Sequence, residues 1–227
     1  KEPLTLLGGL ADYDYGHWCK DVLPGESFTS PKAVVAVGES LNKVCDMLVK
    51  AQNPTISPID ADLPVIFNEY CTSWGNPTID NLEKTAKKLQ GSGIRYLVMD
   101  SGWYKEEGKE WWDTIGDWNV NRTQFPDGLK PVCDMIKSYG LIPGIWFEME
   151  NVAPLSAVYN ETDHLLSRQG VPLSVGGHRF LDMRDEWCVN YLDEKVIGLL
   201  RDSGYGYLKV DYNENIGVGC DGAESLG

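Results

Sequence analysis

The stretch Tyr207-Leu-Lys209-Val-Asp211-Tyr-Asn213-Glu214 sets a cation, a carboxylate and an amide at alternating positions. On an extended strand alternate side chains share a face, so Lys209, Asp211 and Asn213 project to one side. An ammonium two residues from a carboxylate favours the ionised form, which is the state a nucleophile needs. A structural ion pair at a strand end has the same spacing. Asp100-Ser-Gly-Trp103 follows the apolar run Ile94–Met99. There a carboxylate can accept two hydroxyls of a polyol ring while an indole covers its apolar face; a capping Asp beside a packed Trp reads the same way. Trp146-Phe-Glu148-Met-Glu150 offers another carboxylate pair by period two, of which Glu150 also suits solvent or an arginine partner.

Such groups act together only if the chain gathers them, and the flanking pattern does so. Val65–Phe67, Ile94–Met99, Ile142–Phe147 and Tyr207–Val210 are apolar, β-branched-rich runs, with a shorter candidate at Arg179–Met183. Between them Leu82/Ala86/Leu89, Val132/Met135/Ile136/Tyr139 and Val189/Leu192/Val196/Leu199 follow helical spacing. Thr78 stands at a helix start, and Gly91, Gly93, Gly140 and Gly204 follow helix ends. These are repeated β-α units with a parallel sheet. Each strand is followed by polar groups: Asn68-Glu69, Asp100, Glu148 and Glu150, Asp182, and Asp211. Parallel strands bring their C-terminal ends to one face, where (β/α)8 barrels and open doubly wound sheets both keep their sites. Residues 1–62 differ in texture. Pro24-Gly25, Ser30-Pro31, Asn53-Pro54 and Ser57-Pro58 punctuate short runs such as Ala33–Val37, which predicts short strands and loops. A complete barrel takes about 250 residues, so residues 63–227 read as about half of one, cut short.

Composition narrows the chemistry. The 227 residues carry a formal net charge of −14, which repels a phosphate backbone, so no nucleic acid is expected. No apolar run reaches the roughly 18 residues of a membrane span. The opening KEPLTLLGG has no signal-peptide core, leaving cytoplasmic and secreted compartments both open, and the sequons at Asn121 and Asn160 matter only in a secretory route. Six cysteines without a CxxC pair read mostly as buried thiols. His17, His164 and His178 lack ligand spacing, so neither a metal nor a cofactor is expected. No GxSxG elbow is present. Gly217-Val-Gly219-Cys-Asp-Gly222 matches GxGxxG as a string, but the fingerprint belongs between a first strand and its helix, and a loop over a pocket accounts for these glycines better. Eight Trp and eleven Tyr against five Phe favour rings with a polar handle, which suit sugar faces.

Together the motifs resemble glycoside hydrolase family 36, the α-galactosidases, over residues from about 20 to 227. Pro24–Pro31 looks like the end of the family's N-terminal β-sandwich, Val65–Asn68 like barrel strand 1, and Met99-Asp100-Ser101-Gly102-Trp103 like its Asp-Asp-Gly-Trp. Gly116–Val120, Phe125–Pro131 and Gly144–Glu150 resemble the block leading through strand 3, and Lys209-Val-Asp211-Tyr-Asn213 resembles Lys-Trp-Asp-Met-Asn. The resemblance implies a (β/α)8 TIM-barrel glycosidase, incomplete here: residues 1–62 end the β-sandwich and its linker, and 63–227 form the first half of the catalytic barrel. It implies a retaining hydrolase of terminal α-linked galactose, with Asp211 as nucleophile and Asp100, Trp103, Trp146, Lys209, Asn213, Asn68, Tyr70 and Glu148 around the substrate. The acid/base then falls on a later strand, beyond Gly227. Its partner is a galactosyl oligosaccharide, and a homo-oligomer of the full-length protein follows from the resemblance alone. Ser101, Tyr70 and Met149 depart from the family pattern. Tyr70 and Ser101 keep an α-N-acetylgalactosaminidase as an alternative; a non-catalytic carbohydrate-binding relative is another, distinguished by whether the continuation contains the acid Asp.

Overall fold

Four parallel strands take up the long apolar runs, paired in the order in which they occur along the chain. The computed structural model describes residues 20–52, 55, 57–214, 216 and 219–222. In chain order these form α1 (Leu41–Gln52), β1 (Val65–Asn68), α2 (Tyr70–Ser73), α3 (Ile79–Leu89), β2 (Ile94–Met99), α4 (Lys130–Ser138), β3 (Ile142–Phe147), β4 (Asn151–Val152), β5 (Ser167–Arg168), β6 (Val171–Pro172), β7 (Arg179–Phe180), α5 (Glu186–Leu192), α6 (Leu199–Ser203) and β8 (Tyr207–Val210), with short 3₁₀ turns and a π segment at Asp193–Gly198. The sheet order is β1-β2-β3-β8. A doubly wound sheet would reverse direction at a switch point. This one does not, and sequential parallel pairing is the wall of an incomplete (β/α) barrel.

Register explains how one sheet serves two purposes. Asn68 pairs with Val98, Val98 with Gly144, and Gly144 with Tyr207. With a side-chain period of two, Leu97, Met99, Ile145 and Phe147 take the face that packs on the helices, and all four are fully buried. Tyr96, Val98, Gly144, Trp146, Tyr207 and Lys209 take the other face. Gly144 is needed there, because a Cβ would lie 2.8 Å from the Val98 side chain and 3.0 Å from the Tyr207 ring. On the outside α3 packs against β2 and α4, and α4 against β3 and α6. Thr78 caps α3 by accepting from the Asn81 N–H at 3.1 Å, and Asp185 caps α5 by accepting from the Trp187 N–H at 2.9 Å.

Three local expectations need correction. The Arg179 run is no barrel strand: β7 pairs antiparallel with β4, because the chain after β3 turns back on itself before the next crossover helix. The third helix buries Cys188, Leu192 and Val196 while Val189 is 47% exposed, since the π segment shifts the buried face by one residue. Of the cysteines, Cys133 and Cys188 are buried but Cys45 and Cys71 are exposed. Cys19 and parts of the Gly217–Gly222 string lie outside the described residues.

The chain divides after Leu63 into two compact units. Among the described residues of the first, the ordered elements are α1 and a 3₁₀ turn at Pro58–Asp60, and no strand forms. Val35 and Val37 are exposed, without the hydrogen-bonded neighbour a strand requires. The assignment of residues 1–62 to a β-sandwich therefore rests on the resemblance. In the second unit, the loop after β1 meets the loop after β2 at two glycines: a Cβ on Gly102 (φ +98°) would collide with the Gly75 carbonyl. Gly91 (φ +72°) has open space around it. In urea unfolding of the protein, Gly102→Ala is expected to lose about 2–4 kcal/mol, from left-handed strain plus overpacking, and Gly91→Ala about 1 kcal/mol, from strain alone. Equal losses would show that the glycine contact is unimportant.

Candidate active site

The strand ends meet in a cleft of about 280 Å³ lined by Asn68, Tyr70, Cys71, Asp100, Trp111, Trp146, Lys209, Asp211 and Asn213. Lys209 stands at its centre. Its Nζ donates to Asp100 Oδ2 at 2.7 Å and lies 3.6 Å from Asp211 Oδ2. The sequence suggests an ammonium serving Asp211; in the fold it serves Asp100 more closely, since Asp100 arrives from β2 and is nearly enclosed. Asp211 relies on other donors. Trp146 Nε1 donates to its Oδ2 at 2.9 Å, and the Tyr212 N–H to its Oδ1 at 2.9 Å. Partial burial pushes this carboxyl up, but the Trp146 and Tyr212 bonds, the Lys209 charge and the Asn213 amide outweigh it and hold Asp211 below the ordinary carboxylate range.

Asp100 is fixed from both sides. Its backbone N–H donates to Glu69 Oε1 at 3.0 Å, and its Oδ1 accepts from the Ser101 N–H at 2.8 Å. Glu69 is fully buried, and burial raises its pKa, with Asp100 adding to the rise while the nearby Ser73 hydroxyl and bonds from the Asp100 N–H and Thr72 oppose it. Asn213 is held by Glu148, whose two oxygens accept from its backbone N–H at 3.1 Å and its Nδ2 at 2.8 Å. Glu148 also accepts from Asn151 Nδ2 at 2.6 Å, and Asn151 Oδ1 lies 2.6 Å from His178 Nδ1. Because the amide nitrogen is committed to Glu148, Asn151 offers its oxygen, and Nδ1 of His178 carries the proton. Burial lowers the His178 pKa against the pull of Glu148, Glu214 and Asp113, which favours the neutral ring.

Asp211, Asp100, Trp146, Lys209, Asn213, Asn68 and Tyr70 thus come together, and two expected contacts lie elsewhere. Trp103 is fully buried behind the cleft, with its Nε1 donating to the Trp146 carbonyl at 3.0 Å and its ring stacked on Trp118 at 6.2 Å. The turn at Gly102 directs it inward. Glu148, 1% exposed, is spent on Asn213 and Asn151. Asp182 is bound by Arg184 in a separate depression. Sequence reasoning missed two lining residues, Cys71, read there with the other cysteines as mostly buried thiols, and Trp111. Trp111 sits in a long loop rather than at a strand end, and the aromatic excess was its sole trace.

A family model described as Melibiase matches residues 27–224. The chain belongs to the melibiase family. α-Galactosidase AgaA of Geobacillus stearothermophilus is 28% identical over 202 residues, covering 85% of this chain and 27% of that protein. Among solved structures, GH36 α-galactosidase AgaB from the same organism superposes with a TM-score of 0.64 at 29% identity, over 74% of this chain and 24% of that one. A variant of AgaA in complex with raffinose gives 0.62 at 27% identity, over 72% and 23%. This melibiase chain spans about a quarter of the length of these relatives.

Deleting the Trp146 bond removes a group that favours the anion, so Trp146→Phe should raise the Asp211 pKa. The stability contributed by the depressed carboxyl is present above its unfolded value of about 3.9 and is lost as pH falls through the folded value. A carbon NMR titration of the Asp211 carboxyl checks the shift; an unchanged or lower midpoint contradicts the assignment.

Proposed function

We propose that the protein is a retaining glycoside hydrolase that removes terminal α-linked galactose from oligosaccharides or glycoconjugates, with Asp211 as nucleophile. One observation carries the reading: a carboxylate held ionised by an indole N–H, a backbone N–H and a nearby ammonium, at the end of a parallel strand and facing a cleft. Each oxygen accepts one N–H, so a lone pair remains for attack on an anomeric carbon. The names of the relatives as α-galactosidases, and the raffinose complex of one of them, support the substrate class.

In the first step the Asp211 oxygen bonds to the anomeric carbon as the glycosidic C–O bond breaks, and the leaving oxygen takes a proton from a second carboxyl, which this reading places outside the 227 residues. Water then attacks the same carbon, the second carboxyl takes up its proton, and Asp211 leaves as carboxylate. Lys209 and Asp100 present a charged donor and acceptor side by side, suited to adjacent ring hydroxyls whose bonds tighten in the oxocarbenium-like transition state. Asn213, held by Glu148, adds a contact beside them.

Two measurements on the whole protein test this. A fluorinated galactosyl fluoride should leave a covalent adduct on Asp211, and Asp211→Asn should lower turnover of 4-nitrophenyl α-galactoside by about 10⁴-fold with the fold intact by circular dichroism. An adduct elsewhere, or a fully active variant, rejects Asp211. Turnover of the 2-acetamido analogue alone keeps the mechanism and moves the specificity to α-N-acetylgalactosamine.

A further inference from the structure

Three buried polar side chains stand in line behind Asn213. Glu148, Asn151 and His178 are each 1% exposed, and none of them lines the cleft. His178 Nδ1 donates to Asn151 Oδ1 at 2.6 Å, Asn151 Nδ2 donates to Glu148 Oε1 at 2.6 Å, and Glu148 accepts from the backbone N–H and Nδ2 of Asn213. Each bond fixes the direction of the next. The imidazole decides which end of the Asn151 amide faces Glu148, and that amide decides where the Glu148 oxygens stand. The carboxylate in turn clamps the main chain and the side chain of Asn213 together. Folding alone gains little from such a line, because buried polar groups at best recover the cost of their desolvation. What a satisfied polar chain adds is direction.

The inner end is anchored firmly. The His178 ring packs on Trp112 with centroids 4.3 Å apart, and Val175 and His178 exchange backbone bonds at 3.0 and 2.9 Å across Gly176 and Gly177. Arg179 pairs with Val152 of β4 and donates from its guanidinium to the Tyr159 carbonyl at 2.7 Å, while the Tyr159 hydroxyl donates to the Gly177 carbonyl at 2.9 Å. At Gly176 (φ +57°) a Cβ would collide with the Glu214 carboxylate, so the same hairpin also backs the residue that follows Asn213. Asn213, at the outer end, lines the cleft and takes its orientation from Glu148.

We propose that His178 is a positioning residue for the reaction, acting through Asn151 and Glu148 to hold the Asn213 amide where it meets the substrate. This inference rests on the α-galactosidase reading above. None of the three buried groups touches the substrate. Breaking the line frees the Asn213 side chain to rotate, and its ordering must then be repeated at each binding event.

The test is a double-mutant cycle on kcat and KM of the whole protein for 4-nitrophenyl α-galactoside. His178→Phe keeps a ring against Trp112 and removes the donor, whereas His178→Gln keeps a donor. His178→Phe is expected to lower kcat/KM about tenfold, mainly through KM, and His178→Gln to restore most of it. In an Asn213→Ala background His178→Phe should change kcat/KM by less than about twofold, because the group it orients is gone. A loss of equal size in both backgrounds would make His178 a packing residue and overturn the inference, as would full activity of His178→Phe with Asn213 in place. If His178→Phe does not fold, Asn151→Ser breaks the same line one bond nearer Glu148 and carries the same expectations. An unaltered protein that hydrolyses no galactoside overturns the α-galactosidase reading and this role with it; the contrary outcomes in an active protein overturn the role alone.

Discussion

One ammonium group between two carboxylates governs the site. Asp100 is almost enclosed by protein, and an unpaired charge there would be strongly destabilising. Lys209 reaches it from two strands away, across β3, and in doing so stays within 4 Å of Asp211. Two acidic groups can therefore share one cleft in a chain whose formal net charge is already −14. The sheet register has to be right for this: with a period of two, a slip of one residue would turn Lys209 and Asp211 toward the helices.

Around that charge triplet the fold builds two supporting layers of different chemistry. One is aromatic. Trp146 is wedged among Tyr104, Trp111 and Trp118, and its carbonyl is held by Trp103, so the indole N–H that bonds Asp211 has little freedom to turn away. The other is polar, running from the exposed Asn213 inward through the buried Glu148 and Asn151 to His178, whose ring packs on Trp112 at 4.3 Å. Buried polar networks are favourable when each member is satisfied, and here each donor meets an acceptor. Groups oriented before substrate arrives need not reorganise as charge develops, which is the main electrostatic advantage of an enzyme site.

The same economy of position separates residues that meet a ligand from residues that hold those that do. Glu148 and Trp103 sit at strand ends or just beyond them, as contact residues would, yet both are buried and neither lines the cleft. Trp111 comes from a loop and lines the cleft. Strand ends thus supply the charged groups, and a loop supplies part of the aromatic wall of the cleft, a division usual in barrel enzymes.

By itself the sequence determined the four strands, their helices and the convergence of Asn68, Asp100, Lys209 and Asp211, because strand period, helix period and parallel connectivity are local properties that side-chain order records directly. It also carried enough motif to point to the melibiase family. Tertiary structure alone decided that Lys209 pairs first with Asp100, that Trp146 rather than Lys209 is the principal partner of Asp211, that Trp103 packs while Trp111 lines the cleft, and that Cys188 takes the place of Val189 in the core. Those outcomes depend on which groups from distant segments compete for the same few ångströms, and on backbone turns at Gly75, Gly102 and the π segment that redirect whole side chains. Neither competition nor redirection leaves a periodic trace along the chain.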